Sequence, residues 1–139
     1  MSFAGFNYWA VLVAGIVGFL LGGVWYRLLA APWKAAHGFT TEQIRAHHGK
    51  GAPPWPLIIA LIADLAMAWV LAGLIGHIGA VNLKDGVISA AFVWAGFVIT
   101  TLVVNNTFGM RKAALIWIDG GHWLLVLSAM GAIIGAWGV

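Results

Sequence analysis

The sequence predicts an all-α, polytopic membrane protein, a four-transmembrane-helix bundle forming a single domain over residues 1–139, and three observations carry that prediction. Hydrophobic residues make up 63% of the chain and charged ones 8%, against roughly 45–50% and ~25% in a soluble domain. The apolar residues gather into four long runs, each able to cross the roughly 30 Å hydrocarbon layer as a helix rising about 1.5 Å per residue. The runs are continuous, whereas a transmembrane β-barrel needs ~10-residue segments of alternating polarity.

Tyr8 to Tyr26 is the first run, 19 residues without a charge. Asn7 precedes it as an N-cap, Arg27 follows, and Pro32 stops the helix, so helix one is expected over about 8–31. A signal peptide is the competing reading, with Leu29-Ala30-Ala31 as a cleavage site. Met1 to Tyr26 lack the basic n-region, however, and the apolar stretch is too long, so a retained helix is expected. Helix two, about 57–78, opens after Pro56 and is interrupted only by Asp64. Helix three, about 86–108, ends in Asn105-Asn106-Thr107, and helix four, about 113–137, contains Asp119 and His122.

Between helices one and two lies a loop over about 32–56, too short for a soluble catalytic domain. Thr40 and Gln43 have capping-box spacing, which predicts a short surface helix from Thr41 to about His48. The proline- and glycine-rich stretch from Gly49 to Pro56 then turns the chain back.

Basic residues give the expected orientation. Arg27, Lys34, Arg45 and Lys50 accompany the first loop and Arg111 and Lys112 the third, while the opposite side holds only Lys84. The positive-inside rule then puts loops one and three in the cytoplasm and both termini outside, in the cell (inner) membrane. Tyr8, Trp9, Trp25, Tyr26, Trp33, Trp55, Trp117 and Trp137 lie near helix ends, as interfacial aromatics do. The cations are not clustered with stacking aromatics, so the expected partners are membrane lipids and no nucleic acid. Without cysteine, disulfides, thiolate metal sites and a cysteine nucleophile are excluded.

An ionisable residue near the bilayer centre costs about 2.5–3.5 kcal/mol on the insertion scale, so Asp64 needs a partner, a proton or a cavity. Helices two and four start from the same face, which puts Asp64 and His122 at a similar depth of ~12–14 Å, with Asp119 on the His122 face at i,i+3 spacing. Thr100 of helix three reaches the same depth, and Arg27 either approaches Asp119 or snorkels outward. The expected intramembrane polar cluster is Arg27, Asp64, Thr100, Asn105, Asn106, Asp119 and His122. It reads either as a cytoplasm-facing site for a small polar or cationic solute or a proton, or as a hydrogen-bonded network that fixes helix register. A second histidine at useful spacing is missing, so no metal is expected, and no cofactor. His37, His47 and His48 read as solvated loop residues. No nucleophile with an oxyanion donor set is visible, so no catalytic residue is assigned and no enzyme is expected.

Gly18 and Gly22 in helix one, and Gly131 and Gly135 in helix four, form GxxxG pairs that permit close helix packing. The second pair lies opposite Asp119 and His122 on the helix. That face is expected against helix one or another protomer, which favours a homo-oligomer.

Asn7-Tyr8-Trp9, Gly23-Val24-Trp25-Tyr26 with Trp33, Asn105-Asn106 with Phe108 and Arg111, Asp119-Gly120-Gly121-His122 and the closing Gly131 to Trp137 form a pattern along nearly the whole chain. The pattern resembles the domain of unknown function 1761 family, small four-helix membrane proteins. The resemblance implies the architecture and singles out the Asn105/Asn106 and Asp119/His122 regions without assigning them roles. The functional expectation is a small transport or channel-like membrane protein; the alternative is a non-catalytic accessory subunit of a larger membrane protein complex.

Overall fold

The computed structural model describes residues 7–79 and 81–138, and it is helical throughout its long elements. Four helical segments are long and apolar enough to cross a membrane: Tyr8–Leu28, Trp55–Ile78, Leu83–Phe108 and Ala114–Trp137. We label the helices α1 (Tyr8–Leu28), α2 (Ala30–His37), α3 (Thr41–His48), α4 (Trp55–Ile78), α5 (Leu83–Val93), α6 (Ile99–Phe108) and α7 (Ala114–Trp137). A five-residue π turn, Trp94–Val98, joins α5 and α6 into one span.

Local sequence explains the ends. Asn7 Oδ1 accepts from the Ala10 N–H at 3.1 Å and caps α1. Its Nδ2 donates to the Trp137 carbonyl at 3.4 Å, tying the start of α1 to the end of α7. The expected extension of helix one to residue 31 does not form. Pro32 has no N–H for the Leu28 carbonyl, so the chain breaks at Leu29 and restarts as α2, with Pro32 in the first turn where a missing donor is harmless. Gly38 ends α2 at φ 72°, a left-handed conformation that suits glycine. The loop thus carries two short helices, and α3 has the complete Thr40/Gln43 capping box. Helix three of the sequence reading begins earlier than residue 86, at Leu83, because Asn82 Oδ1 caps the Asp85 N–H at 3.0 Å.

The central element is α7, which packs against α1, α4, α5 and α6 and also touches α2. Half of its apolar window is buried, against 6% for the α5–α6 span, so the latter turns most of its surface outward. The core sits toward the end where α1 starts and α7 finishes. There Ala14, Ala68, Ala72 and Ala90 let Ile75, Val126, Leu127, Met130 and Ile134 interlock, all buried. Small residues permit this close approach in an apolar solvent, where dispersion replaces the hydrophobic drive.

The face that the sequence reading gave to helix one or a second protomer is filled by α5 of the same chain. A Cβ at Gly86 would run into the Gly131 carbonyl oxygen, and one at Gly135 into that of Asn82. The seam is backbone against backbone, so Gly131 and Gly135 serve the fold of one protomer. Gly18 and Gly22 instead turn toward α4 and α7: a Cβ at Gly18 would meet the Met130 side chain.

Candidate functional site

On α1, Gly22 makes room for His122 of α7, and Gly18 lies beside Asp64 of α4. A methyl built on Gly18 would lie 3.5 Å from Asp64 Oδ1, and one on Gly22 would lie 2.9 Å from His122 Nε2. These glycines are one turn apart, about 6 Å along α1. Asp64 and His122 therefore address neighbouring steps of one small-residue stripe, and both are buried, at 5% and 6% exposure. No hydrogen bond joins them, and among the described residues Asp64 Oδ1 and His122 Nδ1 have no hydrogen-bond partner.

His122 is framed by rings, with Tyr26 at 4.9 Å and Trp123 at 4.4 Å between centroids. The Tyr26 hydroxyl donates to Asp119 Oδ1 at 2.7 Å. Asp119 thus receives a neutral phenol where the sequence reading offered Arg27. Arg27 follows Tyr26 by one residue, about 100° around the helix, and projects to the exposed side. Among the described residues no ion pair involves it.

Two indoles fix α7 at this level. Trp25 Nε1 donates to the Ile118 carbonyl at 2.9 Å and Trp94 Nε1 to the Gly120 carbonyl at 2.8 Å. Gly121 leaves space for the first: a Cβ there would stand 2.9 Å from the Trp25 ring. Trp94 also opens the π turn, a widening of the α-helix that is frequent at functional sites.

Of the seven residues expected to cluster, the structure brings Asp64, His122 and Asp119 to the inner side. Arg27, Thr100 and Asn105 are exposed. Thr100 hydrogen-bonds its own helix at Gly96 O, 2.8 Å. It misses the cluster because the π turn adds a residue to the helical repeat, which rotates α6 relative to α5. Asn106 is buried at 3% exposure, with Nδ2 satisfied by the Leu102 carbonyl at 2.8 Å and Oδ1 unpaired. Tyr26, Trp25 and Trp94 are the site residues that sequence reasoning missed. Trp25 and Tyr26 read as interfacial aromatics, although a Trp-Tyr pair inside an otherwise aliphatic turn is itself a signal of polar handles needing partners.

Helix α2 folds back over this end, where the Lys112 ammonium donates to the Ala35 carbonyl at 3.2 Å. It brings His37 within electrostatic reach of Asp119 and Arg111, and partial burial pulls the His37 imidazole below its ordinary range. Asp119 opposes that shift and Arg111 adds to it. Trp33 continues the aromatic contacts outward, edge-on to Tyr26 at 6.2 Å and 4.4 Å from His37. No group of three or more potential metal ligands converges among the described residues.

Residues 9–135 match the family described as "Protein of unknown function (DUF1761)". No similar curated protein and no similar solved structure was found.

Proposed function

The chain belongs to the DUF1761 family, and from that premise and its four apolar helices we propose a multi-pass protein of the cell (inner) membrane that takes up a small polar or cationic solute, or a proton, at Asp64 and His122. One observation supports the reading above the others: two buried polar atoms, Asp64 Oδ1 and His122 Nδ1, lie in neighbouring spans without partners among the described residues. An unpaired buried acceptor costs about 1–3 kcal/mol, and a solute with N–H or O–H donors, or a proton on the carboxylate, relieves that cost. Tyr26 and Asp119 stand between this pair and the end of the bundle over which α2 folds. That end carries six of the seven Lys and Arg residues, so the positive-inside rule turns it to the cytoplasm and both termini outward. The site binds and passes its solute on and performs no covalent chemistry.

Flux of protons and of methylammonium into liposomes holding the purified chain tests the proposal. Asp64→Asn and His122→Ala are expected to abolish flux with thermal stability retained, and Thr100→Val to leave it unchanged. Flux no greater than in protein-free liposomes, or equal flux in all variants, replaces this reading with that of a non-catalytic accessory subunit.

A further inference from the structure

The segment between α1 and α4 contains a feature that solute uptake does not use. An open cleft of about 320 Å³ lies along α3, lined by Gln43, Ile44, His47 and His48 of that helix, by Phe39 ahead of it and by Trp33 of α2. Its walls are mostly aromatic and aliphatic, yet neither helix has a fully buried residue, so the cleft is open rather than a small core. The hairpin is held in shape: Lys34 Nζ donates to Thr41 Oγ1 at 2.5 Å, Gly38 makes the turn, and His37 stacks on Phe39 with ring centroids 4.8 Å apart.

Charge identifies the occupant. Lys34, Arg45 and Lys50 belong to this segment, and Lys112 reaches it through Ala35, with Arg111 beside it in the chain. Glu42 is the single acid between Arg27 and Pro56. At the opposite end of the bundle Lys84 is balanced by Asp85, so the cationic excess belongs to this end alone. A soluble anion has no use for Trp33, Phe39 and Ile44, and an uncharged chain has none for the cations. Because the spans Tyr8–Leu28 and Trp55–Ile78 flank the hairpin directly, it stands at the level where headgroups meet acyl chains.

We propose that the α2–α3 cleft binds an anionic phospholipid, with its glycerol and upper acyl carbons against Trp33, Phe39 and Ile44 and its headgroup phosphate among Arg45, Lys50 and the two adjacent histidines. The proposal stands apart from solute uptake at Asp64 and His122 and needs only that the chain resides in a bilayer. Juxtamembrane cations and an apolar surface each bind such lipids weakly; a pocket that combines them holds one lipid specifically.

The test is native mass spectrometry of the full chain in detergent, titrated with phosphatidylglycerol and, separately, with phosphatidylcholine. Phosphatidylglycerol is expected to bind at one site with at least tenfold preference. Arg45→Gln with Lys50→Gln removes the preference, and Ile44→Asn lowers retention of both lipids, in proteins whose melting temperature without added lipid is unchanged. Equal retention of the two lipids overturns the proposal, as does undiminished preference in the Arg45/Lys50 variant. Displacement of phosphatidylglycerol by millimolar inorganic phosphate also overturns it, since the site would then belong to a soluble anion.

Discussion

From Val126 to Gly135, α7 meets its neighbours through backbone and aliphatic groups, with Gly131 against Gly86 and Val126, Met130 and Ile134 fully buried. From Ile118 to His122 the same helix meets them through polar contacts: two indole N–H groups on its carbonyls, a phenol on Asp119, and an imidazole against Gly22. Lipid supplies no hydrophobic force between helices, so association rests on close packing or on hydrogen bonds, and α7 uses one in each half. Among the described residues the polar half holds His122 Nδ1 without a partner, and Asp64 Oδ1, also unpaired, lies where the two halves meet, beside Gly18 with Val126 and Met130. Close packing fills one end, and the unpaired polar groups run from the middle toward the other.

The largest effect is expected where that contrast rests on backbone contact. Gly131→Ala forces a methyl against the Gly86 carbonyl, which cannot move aside as a side chain does, and should cost about 3 kcal/mol in reversible denaturation in mixed micelles. Next comes the pair of indole anchors. Trp25→Phe with Trp94→Phe keeps one six-membered ring at each position and removes both indole N–H groups, a loss of about 2 kcal/mol for the two hydrogen bonds by the same measurement, with helix content intact by circular dichroism. A loss as large as that of Gly131→Ala would erase the distinction between the two ends.

Asp64→Leu should act in the opposite sense. Replacing a buried carboxylate that has an unpaired oxygen by an apolar side chain is expected to raise stability by about 1 kcal/mol, with flux lost. Destabilisation would mean that Asp64 is a structural bond of the fold. The smallest effect concerns α2. His37 lies below its ordinary value of 6.5 in the folded protein, so the unfolded chain binds more protons as the pH falls, and the contribution of His37 is present above pH 6.5 and lost on acidification. Protection of the α2 amides, corrected for the intrinsic exchange rate at each pH, should therefore fall between pH 7.5 and 5 in the unaltered protein, and less so in His37→Gln.

The four spans were legible because length and composition alone identify them, and the Asn7 and Thr40/Gln43 caps because capping is a local matter. Helix faces were not. A helix that is apolar all round carries no amphipathic contrast to show which side is inside, so Gly131 and Gly135 could be recognised as packing residues while the expected partner, helix one or a second protomer, was not the α5 that fills their face. The position of Thr100 failed for a sharper reason: a wheel drawn at 100° per residue assumes an unbroken α-helix, and Trp94–Val98 breaks that phase. Asp64, Asp119 and His122 could be found because ionisable groups are rare in such runs. Tyr26 was hidden by the habit of aromatic residues to sit at membrane interfaces for no local reason.

The Asn7–Trp137 hydrogen bond has a practical corollary. With four crossings, polypeptide attached ahead of Asn7 and polypeptide attached beyond Trp137 emerge side by side from one end of the bundle. A reporter domain fused at either position would sample the same compartment, and two copies joined head to tail by a short flexible linker would run in the same direction across the bilayer.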